Sequence, residues 1–164
     1  MSCDYGTQNA TVFLLWCKDR LGRWVCCCEY YYSGRDEERQ KTDTEYADDL
    51  EQWLDGIKPV KIVIDPSAAS FIAELKKRGY AIKKAKNDVL DGIRFVASLL
   101  NQGKIAISDQ CPNTIKEFGS YIWDQKASER GEDKPVKQHD HAMDALRYFC
   151  YTIIRKPGSI SILK

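Results

Sequence analysis

The stretch QHDHAMDALRY, residues 138–148, sets Asp140, His141 and Asp144 within two turns of what reads as one helix. Carboxylates and an imidazole at that spacing can ligate a metal ion or orient a water. Each also has an ordinary reading. An Asp in a first turn is favoured by the helix dipole, a helix charge commonly faces solvent, and a His near a helix start can be structural. Periodicity narrows the choice for Asp144. At about 100° per residue, Ala142, Leu146, Phe149 and Ile153 form the main apolar stripe and Asp144 falls nearly opposite it. Met143, Tyr148, Tyr151 and Ile154 flank that opposite side, so the helix is covered round much of its circumference. A lone charge in such a place is expensive and needs a partner, which a metal ion supplies.

Two further carboxylates depend on the elements that carry them. After Met1, SCDYG, ATVFLLWCKD and RLGRWVCCCEYYYS are three β-rich stretches joined by short polar or Gly-containing turns, which predicts an antiparallel meander. A charged segment follows and becomes amphipathic from Thr44, with Tyr46, Leu50, Trp53 and Leu54 on one helical face and Gly56 at its end. The pattern then alternates: VKIVID a strand, SAASFIAELKKRG a helix, YAIKKA a strand, DVLDGIRFVASLLNQG a helix, KIAIS a strand. Such alternation means parallel crossover units. A helix over about Pro112–Ser120, a polar hairpin or loop DQKASERGEDKPVKQ and the final helix complete the chain.

The expected fold is α/β, a mixed five-stranded sheet flanked by helices, with the first strand beside VKIVID. Asp4 then lies on a central strand and Asp65 at the carboxyl end of its neighbour, beside the crevice where α/β sheets bind ligands. Asp65 in IDPSAASF also reads as a turn or cap residue. Three converging carboxylates repel unless neutralised, and a hard divalent cation is the usual remedy.

Composition bounds the rest. A chain of 164 residues with 43% hydrophobic content can bury one core, and one domain over residues 1–164 is expected. With 25 basic and 24 acidic residues, global charge argues neither for nor against a nucleic-acid partner. Seven Cys include the run Cys26, Cys27 and Cys28, whose side chains alternate on a strand. Reduced, apolar fillers are expected rather than a disulfide framework, and no CxxC pair offers a zinc site. No signal peptide or long apolar run is present, so a soluble cytosolic protein without a membrane partner is expected.

Across nearly its whole length the chain resembles the nuclease domain of the large terminase subunit of tailed bacteriophages, a ribonuclease H-like family. The residues carrying the likeness are CDYG, VIDPSAASFIAELKKRGY, AKNDVLDGIRFVASLL, IAISDQCPNTIKEFGSYIWD and, most specifically, DHAMDALRY. The resemblance implies a hydrolase that cleaves concatemeric viral DNA during genome packaging, in the cytoplasm of the infected bacterium. It places the metal carboxylates on Asp4, Asp65 and Asp144, with His141 also in the site as a metal ligand or water-orienting group. It implies two Mn2+ or Mg2+ ions, double-stranded DNA as substrate, and a packaging ATPase domain, a small terminase subunit and a portal as partners. No G-x-x-x-x-G-K-[ST] pattern occurs, so no ATP is expected to bind here and the chain reads as a domain excised from a longer one; a stand-alone protein fits as well.

DNA contacts are expected from Lys83, Lys84 and Lys86 and from Lys126, Arg130, Lys134 and Lys137. Asp140 reads as a first-turn charge or a support for the site, His139 as exposed and Asp91 as structural. Two other readings fit the same residues. One is another ribonuclease H-like enzyme, a junction resolvase or transposase; the other is a non-catalytic module that docks DNA or a portal.

Overall fold

A computed structural model describes residues 1–6, 9–121 and 140–155. Among these residues the sheet has six strands: β1 (Ser2–Asp4), β2 (Ala10–Lys18), β3 (Trp24–Ser33), β4 (Ile62–Ile64), β5 (Ile82–Lys84) and β6 (Ile105–Ile107). Their order is β5-β4-β1-β2-β3-β6. β1, β2 and β3 form the expected antiparallel meander, and β4 joins β1 in parallel. The sheet exceeds the expected five strands by one, because β6 pairs in parallel with Trp24, Val25 and Cys26 and so covers the outer edge of β3.

Helices α1 (Asp43–Leu54), α2 (Ala69–Lys77), α3 (Val89–Asn101), α4 (Pro112–Ser120) and α5 (His141–Phe149) flank this sheet. α5 runs on as a π-helical turn over Cys150–Ile154, where one continuous helix was expected. Strand parity sorts the layers. Phe13 of β2 joins Cys3, Ile62 and Ile64 against Tyr46 and Leu50 of α1 and Phe71 and Leu75 of α2. Val12, Leu14 and Trp16 point the other way, against Val96 and Leu99 of α3 and Ala142, Leu146 and Phe149 of α5. Each fully buried Leu or Phe contributes about 1.5–3 kcal/mol, so the sheet is held from both sides. Trp16 fixes α5 most directly: its ring stacks on Phe149 at 4.4 Å and its indole N–H donates to Ser2 Oγ at 3.2 Å.

One cysteine expectation fails. Cys17 and Cys27 are joined in a disulfide, while Cys3, Cys26, Cys28, Cys111 and Cys150 are free and all but Cys28 are buried. The cause is a β-bulge. Leu15 pairs with Cys28 and Trp16 with Cys26, which leaves Cys27 as the extra residue. Trp16 and Cys26 share the α3–α5 side, so parity turns their neighbours Cys17 and Cys27 together to the opposite side.

Candidate active site

The same parity brings two of the predicted carboxylates together. β1 and β4 run parallel with Ser2 level with Val63 and Cys3 with Ile64, so one residue further Asp4 stands level with Asp65. Cys3 and Ile64 belong to the α1–α2 side; Asp4 and Asp65 therefore leave the sheet on the side of α5. That helix starts at His141 with Asp140 as its N-cap residue, and Asp140 makes no side-chain capping bond.

Each carboxylate has a distinct environment. His141 Nδ1 lies 3.0 Å from Asp4 Oδ2, the imidazole donating when Asp4 is ionised. Burial lifts the Asp4 carboxyl to about 6; the His141 hydrogen bond opposes that rise, and the nearby negative charge of Asp144 adds to it. His141 is raised in return, chiefly through its bond to Asp4. Asp65 is buried, with Oδ1 accepting the Ser67 N–H at 2.8 Å and Oδ2 accepting from Asn87 Nδ2 at 2.5 Å. Asp144 Oδ1 accepts from Arg147 at 2.8 Å, and the guanidinium lies 4.9 Å from the Tyr148 ring centroid. The buried phenol of Tyr148 feels all three acids. Its pKa is driven upward by burial first, then by Asp4, Asp144 and Asp65.

Hard oxygen donors with one imidazole suit a hard divalent cation, and the crowding around Asp4 is what such an ion relieves. The placement is looser than a closed ligand set. Among the described residues, no three His, Cys, Asp or Glu side chains converge on one point.

Several residues that build the site were not singled out from sequence. Glu117 of α4 is 4% exposed, accepts the N–H groups of Ala142 and Met143 at 2.7 and 3.2 Å, and accepts the Tyr31 hydroxyl at 3.0 Å. It thus supplies from another helix the cap that Asp140 does not. Burial raises its carboxyl to about 7. Glu29 of β3 does the same for α4, accepting from the backbone and side chains of Asn113 and Thr114 at 2.7–2.9 Å. Arg147 is 3% exposed and packs on Gly92 of α3, where an added Cβ would meet its Cγ and Cδ at 2.7 Å. A Gly inside an otherwise regular helix was the only local signal for any of them. Asp91 accepts the Tyr151 hydroxyl at 3.5 Å, in keeping with a structural role.

Lys83, Lys84 and Lys86 are exposed, and the backbone N–H of Ala85 bonds Ile64, next to Asp65, so this run flanks the carboxyl end of β4. Lys126, Arg130, Lys134, Lys137 and His139 lie outside the described residues.

The family described as "Terminase RNaseH-like domain" matches residues 27–151. The chain belongs to that family. This terminase domain is 54% identical to the large terminase of a thermophilic bacteriophage, with a TM-score of 0.90 over 94% of this chain and 39% of that one. The terminase large subunit of Escherichia phage T5 is 32% identical over 130 residues, 77% of this chain and 30% of the relative. The nuclease domain of the bacteriophage SPP1 large terminase, solved with bound Mn, shares 23% identity at a TM-score of 0.61, covering 89% of this chain and 81% of that one. That last likeness is one of fold. The terminase domain thus has a ribonuclease H-like fold and spans well under half the length of the first two of these relatives. No helix among its described residues is long and apolar enough to cross a membrane.

Proposed function

We propose that the chain is a divalent-metal-dependent DNA endonuclease that cleaves concatemeric viral DNA during genome packaging. The observation that carries this reading is that Asp4 and Asp65 stand side by side at the ends of two adjacent parallel strands, on the side of the sheet covered by α5, which carries Asp144 and bonds Asp4 through His141. The Mn bound by the SPP1 domain supports the same choice of ion. Asp4, Asp65 and Asp144 would hold two Mn2+ or Mg2+ ions. When bound, such a pair supplies polarisation of a water on one side of a phosphodiester and charge neutralisation at the leaving oxygen on the other.

The chain's own residues do the positioning. Asp4, on the central strand beside β4, is the candidate to be shared by both ions. His141 fixes the Asp4 carboxylate through Nδ1 and offers a proton-carrying imidazole beside it. Arg147, buried and lying over the Tyr148 ring, holds the Asp144 carboxylate. Lys84 and Lys86, with Lys126, Arg130 and Lys134, would contact phosphates of double-stranded DNA, which fixes the duplex without reading its sequence.

In this reading residues 1–164 are one ribonuclease H-like unit of a longer polypeptide, working with a packaging ATPase domain, a small terminase subunit and a portal in the cytoplasm of the infected bacterium. ATP is then used elsewhere in that machine and not by this domain.

Supercoiled plasmid incubated with Mn2+, Mg2+ or a chelator tests the activity. Nicked and linear products should form only with metal, and Asp4→Ala, Asp65→Ala and Asp144→Ala should abolish them. Cleavage by Asp144→Ala at the parent rate refutes the site. A second reading, a non-catalytic docking module of the same fold, draws on Asp65 and Asp144 being engaged by Asn87 and Arg147 with no closed set of three ligands among the described residues. It predicts DNA binding with no cleavage in any metal.

A further inference from the structure

Asp65, just past β4, and Asp144 of α5 belong to one hydrogen-bonded chain, and one of its two inner members is an exposed loop residue. Asn87 lies between β5 and α3. Its amide Nδ2 donates to Asp65 Oδ2 at 2.5 Å, and its Oδ1 accepts from Arg147 Nη1 at 3.5 Å. Arg147 continues to Asp144 Oδ1 through Nη2 at 2.8 Å and Nε at 3.3 Å, and Nη1 also reaches the Asp88 carbonyl at 3.5 Å. The run Asp65–Asn87–Arg147–Asp144 therefore links the two carboxylates by side chains alone.

We propose that Asn87 is a positioning residue that sets the orientation of Asp65 relative to Asp144 for a divalent cation. The inference rests on the nuclease reading and adds to it a residue that does not itself hold the ion. A carboxylate oxygen has two lone pairs. Ser67 N–H bonds Oδ1 and Asn87 Nδ2 bonds Oδ2 among the described residues, and these two donors set the direction in which the other lone pair of each Asp65 oxygen points. Arg147 orients Asp144 and also brings a positive charge, so replacing it changes geometry and electrostatics together. It is 3% exposed, and its stem fills the space above Gly92, so replacing it disturbs packing as well. Asn87 carries no charge and covers no core. Its removal frees Asp65 Oδ2 and takes one acceptor from Arg147 Nη1, which keeps the Asp88 carbonyl, while charge and core packing stay as they are, which makes it the informative position.

The test is Asn87→Ala in the 164-residue chain, read in two ways across a Mn2+ titration: melting temperature without DNA, and cleavage of supercoiled plasmid. Groups that orient metal ligands typically contribute about 10–100-fold in metal affinity or activity. The expected result is a displacement of both Mn2+ midpoints to about 10–100-fold higher concentration, with the metal-free melting temperature unchanged and cleavage recovering at saturating Mn2+. An unmoved midpoint in Asn87→Ala, where the parent responds to Mn2+, overturns the positioning role and leaves the nuclease reading standing. A large drop in the metal-free melting temperature also overturns it, since Asn87 would then be structural. A parent that neither melts higher nor cuts with Mn2+ overturns the nuclease reading and this inference with it.

Discussion

Replacing Gly92 with Ala sets two effects of opposite sign against each other. In an ordinary helix interior Gly→Ala stabilises by about 1 kcal/mol, and Gly92 lies inside α3 with no positive φ. Here the new Cβ would stand 2.7 Å from both Cγ and Cδ of Arg147. Those atoms are mid-stem, and the side chain is 3% exposed, so it has little room to yield. Overpacking of this kind costs about 1–3 kcal/mol. Displacing the guanidinium also loosens its hold on Asp144, and a buried charge deprived of its partner costs up to about 3–5 kcal/mol. Partial displacement should leave a net loss of about 1–3 kcal/mol, which at roughly 2–4 °C per kcal/mol is a fall of about 2–12 °C in melting temperature. Gly119 of α4 is the matched control. Nothing among the described residues lies within 4 Å of its added Cβ, so Gly119→Ala should gain up to about 1 kcal/mol. Urea denaturation of the three proteins decides the matter. If Gly92→Ala is as stable as Gly119→Ala, the close approach of Arg147 to α3 is wrong, and the strut to Asp144 falls with it.

Three further outcomes are expected. Glu117 titrates at about 7 when folded against 4.5 ordinarily, so the folded state holds its proton more tightly. The associated stability is complete below pH about 4.5 and is lost as pH rises through about 7, up to about 3 kcal/mol in all. Glu117→Gln should lack that decline, so its stability relative to the parent should rise between pH 4.5 and 8 in urea titrations; a constant difference refutes the assignment. A divalent ion that binds only the native state adds about 2.7 kcal/mol at a hundredfold excess over Kd, so Mn2+ should raise the melting temperature of the parent and not of Asp4→Ala. Lys84→Glu with Lys86→Glu should weaken DNA binding equally on unrelated sequences and lower the salt slope by about 0.9 for each phosphate no longer neutralised; a sequence-dependent weakening, or cleavage that requires ATP, contradicts phosphate-only recognition by an independent domain.

What was legible in the sequence were the features set by short-range pattern. The β-rich run VFLLW between polar turns and the apolar run VKIVID marked the strands, and adjacency of the first and fourth strands placed Asp4 beside Asp65. Asp144 was harder, because it lies off the apolar stripe and only the second flank of its helix hinted that it was covered. The residues that support the acids were hidden for a common reason. Glu29 and Glu117 are ordinary Glu in a strand and a helix, and their caps act on residues 84–85 and 25–26 positions away. Asn87 reads as a loop residue and Arg147 as a helix-surface charge until α3 is packed against α5. The Cys17–Cys27 bond escaped because it depends on a bulge that shifts parity by one. KIAIS was legible as a strand, and what the pattern did not reveal is that it pairs with Trp24–Cys26 of β3 and makes the sheet six-stranded rather than five.

The acidic caps also bear on the order in which the domain can form. The N-terminus of α5 ends on Glu117, the N-terminus of α4 ends on Glu29, and the Asp4–His141 bond closes a separation of 137 residues. Loop closure over such distances is entropically unfavourable until intervening contacts have shortened the effective loop. The first turn of α5 therefore has acceptors for its N–H groups only where α4 is docked, and α4 has its own only where β3 is in place. Asp144 is held near Asp4 through this relay of caps, so a change at Glu29 or Glu117 should loosen the acidic constellation without touching an acid.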